Sequence, residues 1–283
     1  MNKTCIIILY FNKVSLTAKC INSVIHSGYF MERILAFDNG SNAVNHESIK
    51  KEFPWIKHNR IEINSGYSGG FNRAIKWAIK EGFDNFLFLT NDTLIEKDAL
   101  KNILEHSEKT GSEFAAPKIV YENQKSSIDS IGGFFDFKNF TLGHYKEENI
   151  ELELNMDTDY VPGSAFWFTK NIFEKLNGMD ESLHTYWEDV DFSFRAHRAG
   201  VRITRCYDSV IFHGVGKTCH KKPLYSTYYF QRNRIRFCKK YLSIDQWGLA
   251  KEKIKKDLDR IKEKSLNDKI KTGYIEELLL ELV

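Results

Sequence analysis

Phe86-Leu87-Phe88-Leu89-Thr90-Asn91-Asp92-Thr93 is the stretch on which the reading of this chain turns. Phe86 to Thr90 are apolar or strand-favouring without polar alternation, the pattern of a strand buried on both faces. Asn91-Asp92 ends the run, and both residue types favour turns. In open α/β sheets ligands bind outside the carboxyl ends of the strands, and a carboxylate there is a seat for a divalent cation. Asp92 reads equally as a turn or N-cap residue ahead of a helix over Leu94–Glu105.

The residues before this stretch repeat its design. Cys5–Tyr10 is an apolar run that ends at Phe11-Asn12-Lys13, and Leu16, Cys20, Ile21 and Val24 then recur at helical spacing up to Gly28. Arg33–Phe37 predicts a second strand, ending at Asp38-Asn39-Gly40-Ser41; Ile49 to Phe53 belongs to a second helix, and Arg60–Ile63 to a third strand. Asn64-Ser65-Gly66-Tyr67-Ser68-Gly69-Gly70-Phe71-Asn72 opens a helix that runs through Ile79. Strand and helix in alternation predict an α/β protein with a mostly parallel, doubly wound sheet. Asp38, Asn64 to Asn72 and Asp92 then fall on one sheet edge, where nucleotides bind. The glycines let backbone approach a ligand, and the helix N-terminus after them can receive phosphate. No Gly-x-Gly-x-x-Gly follows the first strand and no Gly-x-x-x-x-Gly-Lys-Ser/Thr occurs, which disfavours dinucleotide and P-loop enzymes.

Beyond residue 110 the pattern loosens. Phe114–Val120 predicts a strand, with Pro117 marking an edge or bend. Ile131–Asp136 reads as a turn and short strand, Lys146–Asp159 as an exposed polar loop, and Tyr160–Phe168 as buried chain with a small Gly163-Ser164-Ala165 step. Ile172–Leu176 is a short helix stopped at Asn177-Gly178. In Tyr186-Trp187-Glu188-Asp189-Val190-Asp191-Phe192-Ser193-Phe194-Arg195 the acidic residues fall in or just before a helix's first turn, which suits the macrodipole. Asp191 is placed to pair with Arg195 at i, i+4. Glu188 and Asp189, beside Tyr186 and Trp187, are the candidates for chemistry, since apolar surroundings raise a carboxyl pKa toward that of a general base. Val201–Tyr207 and Val210–Phe212 predict strands, the latter ending at His213-Gly214. His213 reads either as structural or, with two carboxylate clusters before it, as a ligand.

The 283 residues suffice for one large domain, or one with an appendage. A net charge of +3 gives no case for a nucleic-acid partner. The five cysteines, Cys5, Cys20, Cys206, Cys219 and Cys238, form no Cys-x-x-Cys pair, which predicts reduced thiols in a cytoplasmic protein. No apolar stretch approaches the roughly 20 residues of a membrane span, and Cys5–Phe11 reads as a strand, not a signal peptide.

Taken in order, Tyr10-Phe11-Asn12, Phe37-Asp38-Asn39-Gly40-Ser41, Asn64-x-Gly66-x-x-Gly69-Gly70-x-Asn72, Thr90-Asn91-Asp92, Glu188-Asp189 and His213 resemble the motif series of inverting family 2 glycosyltransferases, over about residues 3–240. The resemblance implies the GT-A fold. It implies that Tyr10 and Asp38 hold the base of a nucleotide sugar, with Asn12, Asn39, Asn64, Gly66, Gly70, Asn72, Asn91 and Asp92 around the donor. It implies Asp189 as the catalytic base with Glu188 beside it, and Asp92 and His213 as ligands of a Mg²⁺ or Mn²⁺ that bridges the diphosphate. Thr90 stands where the family's Asp-x-Asp motif has its first Asp. The series is similar to that of bacterial rhamnosyltransferases, which implies a UDP- or dTDP-sugar donor, dTDP-rhamnose first, and a glycan or lipid-linked glycan acceptor in lipopolysaccharide or another cell-envelope polysaccharide. The alternatives are a galactofuranosyl- or N-acetylglucosaminyltransferase, or a sugar-nucleotide-binding or scaffold protein without catalysis, which Thr90 suggests.

The predicted organisation is a catalytic domain over 1–220, with a nucleotide-sugar half at 1–110 and an acceptor half at 111–220, followed by a helical appendage over 221–283. Tyr225 to Tyr241 is aromatic and basic; its Arg232-Asn233 reads as lying under the acceptor, contacting diphosphate, or as part of a solvated basic face. Ile254, Leu258 and Ile261, and more clearly Ile275, Leu278, Leu279 and Leu282, form apolar stripes that pack on the core, on a second copy, or on the inner face of the cell membrane.

Overall fold

Strand and helix alternate from β1 (Thr4–Tyr10) through α1 (Val14–His26), β2 (Ile34–Asn39), α2 (Ala43–Glu52), β3 (Lys57–Ile61) and α3 (Gly66–Lys80) to β4 (Asn85–Thr90). Then follow β5 (Thr93–Ile95), α4 (Ala99–Thr110), β6 (Phe114–Tyr121), β7 (Gln124–Ser130), β8 (Gly133–Asp136), β9 (Thr141–His144), β10 (Ala165–Thr169), α5 (Lys170–Leu176), α6 (Glu188–Arg198) and β11 (Thr204–His213). Helices α7 (Pro223–Tyr241), α8 (Ile244–Glu263) and α9 (Lys269–Glu281) complete the order. The computed structural model describes residues 3–146, 157–214, 223–265 and 268–282. The loop expected over Lys146–Asp159 therefore lies, at 147–156, outside the described residues.

These residues fall into two compact units. The first comprises those within Met1–Phe134, His144–His184 and Glu188–Thr218, the second those within Phe135–Gly143, Thr185–Trp187 and Cys219–Val283. In the first, the described residues build a nine-stranded sheet ordered β3-β2-β1-β4-β10-β6-β11-β5, with β7 beside β6. β4 explains why its sequence has no polar alternation. Phe86 and Phe88 enter a cluster with Phe71, Phe114, Phe166, Phe168 and Phe192 on one face. Leu87 and Leu89 face the other, with Ile6, Ile8, Ile21, Val24 and Trp167. A residue on either face is therefore in a core.

The parallel arrangement holds for β3-β2-β1-β4. The sheet is mixed beyond that point, because β10 enters antiparallel to both β4 and β6. Its first residue, Ala165, pairs with Leu89 near the end of β4, so the segment just before it, Pro162-Gly163-Ser164, arrives at the carboxyl edge of the parallel strands. β6 and β11 are parallel, while β5 and β7 are antiparallel additions.

Three local expectations change. The helix predicted over Leu94–Glu105 begins at Ala99, since Thr93–Ile95 pairs with Ile211–His213 as a strand. The two predicted strands 201–207 and 210–212 are one, β11, with a register shift between Cys206 and Val210. Pro117 sits inside β6 opposite Cys206. On its other side β10 pairs only Phe114 and Ala115, and β7 joins only at Ile119, so the missing N–H falls in an unpaired gap.

In the second unit Ile235, Cys238, Ile254, Leu258, Ile275 and Leu278 form one core. The apolar stripes of α8 and α9 are thus buried within the unit itself. The solvated basic face expected around Arg232-Asn233 fails at two residues. Asn233 and Arg234 are buried, and Arg234 donates to Phe140 O and Asn139 O at 2.7 Å each and pairs with Asp257 at 3.1 Å.

Gly40 and Gly28 both hold positive φ, 85° and 78°. A Cβ on Gly40 would lie 2.4 Å from Asn64 N and 2.7 Å from Ile63 C, whereas one on Gly28 would meet nothing within 4 Å. Gly28→Ala is expected to cost only the backbone term, about 1–2 kcal/mol. Gly40→Ala is expected to cost about 1–3 kcal/mol more, because two main-chain segments must separate. Urea unfolding checks this; equal losses would show that the β2 and β3 ends do not need that approach.

Candidate active site

Tyr10 and Asp38 are register partners at the ends of β1 and β2, and both are buried. Asp38 Oδ1 accepts from Ser41 N at 2.8 Å. Its Oδ2 lies 2.9 Å from His46 Nδ1 but without hydrogen-bond geometry, so among the described residues this buried oxygen has no donor. Tyr10 Oη is 3.2 Å from the same His46 nitrogen; burial first, then the Asp38 charge, pushes its pKa up. His46 was not legible as a site residue: it lies on α2, among polar residues that read as surface. Asn12, at φ 53°, donates its N–H to Ser41 Oγ at 2.6 Å and accepts from Asn42 N at 3.1 Å and Asn45 Nδ2 at 2.9 Å. It ties the β1 loop to the β2 loop.

Several residues expected around the donor have side chains engaged with the protein itself. Asn39 Nδ2 donates to Gly66 O at 2.8 Å, and its Oδ1 accepts from Ser65 N at 3.2 Å. Asn64 Oδ1 accepts from Gly66 N at 2.9 Å. Asn72 Nδ2 donates to Met179 O at 2.9 Å and its Oδ1 accepts from Met179 N at 2.8 Å. Asn91 Nδ2 donates to Thr17 Oγ1 at 2.9 Å. The glycines follow suit: a Cβ on Gly66 would lie 2.3 Å from His184 Nδ1, and one on Gly70 2.8 Å from Asn39 Nδ2. What the glycines allow at their Cβ positions is protein-on-protein packing that holds the amino end of α3.

Asp92 and Asp189 are joined through one seam. Thr90 N donates to Ser164 O at 3.0 Å, and Thr90 Oγ1 donates to Asp92 Oδ1 at 2.7 Å. One residue earlier in the seam, Gly163 N donates to Asp189 Oδ2 at 2.7 Å, while Asp189 Oδ1 accepts from Val190 N at 2.8 Å. Tyr67, a residue the sequence reading passed over within the glycine run, donates its hydroxyl to Gly163 O. Its pKa is pushed well up by burial and then by the charges of Glu188, Asp189 and Asp92.

Glu188 opens α6 almost fully buried, and its Oε2 has no partner among the described residues. Burial, then the neighbouring Asp189, raises its pKa well above the usual carboxyl value. Asp189 is raised to about 6, by burial against the lowering effect of the Gly163 and Val190 N–H groups. Asp191 has the structural role its spacing predicted: Oδ2 accepts from Arg195 Nε at 2.7 Å, and Arg195 also donates to Leu176 O and Gly178 O. Just ahead of α6, His184, Tyr186 and Trp187 hold φ of 64°, 64° and 71°, conformations that bulky residues keep only when their surroundings impose them.

His213 reaches this edge through β5. Thr93 pairs with His213, and His213 Nε2 comes to 3.7 Å from Asp92 Oδ1. Its Nδ1 lies 3.3 Å from Asp129 Oδ2, on β7. Burial disfavours the charged Asp129, but hydrogen bonds from His213 and Tyr121 outweigh it and hold its carboxyl below the usual range. No group of three His, Cys, Asp or Glu side chains suited to one metal ion occurs among the described residues. A Mg²⁺-type cation is nevertheless commonly held by one or two carboxylates, with phosphate and water completing its shell. Asp92 offers one such carboxylate, with the His213 imidazole 3.7 Å from it.

The order and sense of the strands are those of the GT-A fold. Residues 5–176 match the model of Glycosyl transferase family 2, and the chain belongs to that family. It is 24% identical over 238 residues to the low-salt glycan biosynthesis hexosyltransferase Agl10 of Haloferax volcanii, covering 80% of this chain and 72% of that protein. It is 29% identical over 150 residues to the rhamnosyltransferase WbbL of Escherichia coli, covering 48% and 57% respectively. Among solved structures, S. aureus TarS 1-349 superposes with a TM-score of 0.60 at 15% identity, over 99% of this chain and 80% of that one. GalNAc-T7 with UDP, GalNAc and Mn²⁺ does so with 0.64 at 16% identity, over 99% and 54%. At these identities the structural likeness concerns the fold alone.

Asp189 supplies a pH test. Its pKa rises from 3.8 to about 6 on folding, so the folded chain binds that proton more tightly than the unfolded one. The associated stability is complete below pH 3.8 and is lost as the pH rises through about 6. Asp189→Asn cannot titrate. Its unfolding free energy, relative to the unaltered protein, is therefore expected to improve steadily between about pH 4 and pH 7, measured by urea unfolding. A difference that stays flat would place the Asp189 pKa at its ordinary value.

Proposed function

We propose that this glycosyltransferase inverts the anomeric centre as it moves a sugar from a UDP- or dTDP-sugar to a surface-glycan acceptor. The observation that supports this reading is the seam through Thr90, Ser164 and Gly163, which links Asp92 to Asp189. In the proposed mechanism Asp189 is the base. Both of its oxygens already accept one main-chain N–H, which fixes the carboxylate, and each keeps lone-pair capacity for the acceptor hydroxyl. A pKa of about 6 leaves it ionised near neutrality yet basic enough to take the proton as the hydroxyl attacks. Burial and the adjacent Asp189 push the Glu188 carboxyl well up, so the pair resists carrying two charges together. A single positioned carboxylate suits one displacement with inversion, whereas hydrolysis of a glycoside normally uses two opposed ones.

Asp92 and His213 are the proposed metal ligands, Thr90 holding Asp92 and Asp129 holding His213 in orientation. A Mg²⁺ or Mn²⁺ there would neutralise charge on the departing nucleoside diphosphate. Asp38 Oδ2, buried without a donor, is the proposed acceptor for an N–H of the nucleobase, with Tyr10 beside it. For the donor sugar, rhamnose leads on the likeness to WbbL, and the likeness to Agl10 keeps another hexose, galactofuranose or N-acetylglucosamine, in play. No helix among the described residues is long and apolar enough to cross a membrane. The proposed contact with a membrane surface or a second copy would run through 221–283, where Ile244, Leu249, Ile270 and Leu280 are exposed. Thr90 at the first Asp-x-Asp position supports a second reading, donor binding without turnover.

A panel of UDP- and dTDP-sugars, scored by thermal shift with and without Mn²⁺, is expected to single out one donor, since a ligand of the native state raises stability. Asp92→Ala should weaken metal-dependent binding of that donor at least about tenfold. Asp189→Asn should keep the binding and lower turnover by roughly 10²–10⁴-fold. Unchanged metal dependence in the first variant would remove the metal assignment. Full turnover in the second would remove the base, and binding with no turnover on any acceptor in the unaltered protein would favour the second reading.

A further inference from the structure

The helical unit contains a cavity of about 450 Å³, and none of the residues that line it has a role in the mechanism proposed above. Its walls come from three places in the sequence: Tyr186 before α6, Ser226, Thr227 and Phe230 on α7, and Lys264 and Lys271 at the facing ends of α8 and α9. The volume is that of a small-molecule site, which typically measures about 300–1,000 Å³.

One lining residue, Tyr186, is held from behind by its main chain. Asn233, completely buried, donates to Thr185 O at 2.8 Å and to Tyr186 O at 2.7 Å. That clamp sits on the residue held at φ 64°. The Phe230 ring meets Tyr186 edge-on at 6.3 Å and Trp187 at 5.7 Å. The charge is one-sided. Among the described residues Lys264 and Lys271 line the cavity and no carboxylate does. Neighbouring bases of the same unit are paired, Lys253 with Asp257 at 2.9 Å and Lys262 with Glu276 at 2.9 Å. Lys264 and Lys271 have no carboxylate partner among the described residues.

Two lysines suit a phosphoryl group, which at neutral pH carries up to two charges and three acceptor oxygens. Aromatic faces suit an organic moiety, not a bare ion. We propose that this cavity binds a phosphate ester, Lys264 and Lys271 meeting the phosphoryl oxygens and Tyr186 and Phe230 carrying the organic part. The site lies wholly within the helical unit and does not depend on the donor assignment made above.

Calorimetric titration of the full chain, with the donor site saturated by UDP and Mn²⁺, tests this with three probes: geranyl phosphate, glucose 1-phosphate and inorganic phosphate. At least one ester is expected to bind the unaltered protein. Its affinity should fall at least tenfold in Lys264→Gln/Lys271→Gln and stay within twofold in Lys255→Gln/Lys256→Gln, which removes the same charge from exposed positions of α8. The tighter ester identifies the source, a lipid phosphate or a glycan phosphate. No measurable ester binding, equal affinity in all three proteins, or inorganic phosphate binding as tightly as both esters would each overturn the proposal. UDP affinity, measured separately on the lysine variant, should be unchanged, so failure here leaves the donor reading standing.

Discussion

Thr90 donates its N–H to Ser164 O, and on that contact the arrangement of the edge depends. It is the last step of the pairing between β4 and an antiparallel β10. If β10 ran parallel, its leading segment would enter at the opposite edge of the sheet. Running antiparallel, it brings Gly163 and Ser164 to the place where β4 ends. Gly163 N–H is then available to Asp189, and the Thr90 hydroxyl lies between Ser164 O and Asp92. Two carboxylates from distant parts of the chain are thereby held through one short run of main chain.

The same edge concentrates charge in an enclosed place. Glu188 and Asp189 are adjacent, Tyr67 feels both together with Asp92, and His213 lies between Asp92 and Asp129. Such a group of acids is unfavourable when all are ionised and dry. The fold offsets this in three ways: main-chain N–H groups on Asp189, a hydroxyl on Asp92, and raised pKa values where burial is deepest. The positive φ values at His184, Tyr186 and Trp187 belong to the same picture. They fall just before Glu188 and Asp189 in the chain, and within the second unit Asn233 fastens the carbonyls of Thr185 and Tyr186.

The polar residues around the edge divide into two kinds. Asn39, Asn64, Asn72 and Asn91 hold loops to one another and to α1 and α3, and the Cβ directions of Gly66 and Gly70 face protein. Tyr10, Asp38, Asp92, Asp189 and His213 are the groups to which the proposed mechanism gives a role. A motif rich in Asn and Gly is thus largely a scaffold motif.

Much of the architecture was determined by sequence alone. The unbroken apolar run of β4 could only be a strand covered on both sides, and the alternating run from Cys5 to Thr90 could only be a wound sheet with its polar ends on one edge. The i, i+4 spacing likewise gave Asp191 to Arg195. Other features arise from contacts that no local pattern encodes. β5 is three residues long and exists because it pairs with the end of β11, which is what delivers His213 to Asp92. The antiparallel sense of β10, the Asp129 behind His213, the His46 beside Asp38 and the Tyr67 over Gly163 are all long-range pairings. Periodicity reports which face of an element is buried, since that follows from the element's own geometry. It does not report which distant segment does the burying, and the direction of β10 and the pairing of β5 were decided there, by the closing of the tertiary structure.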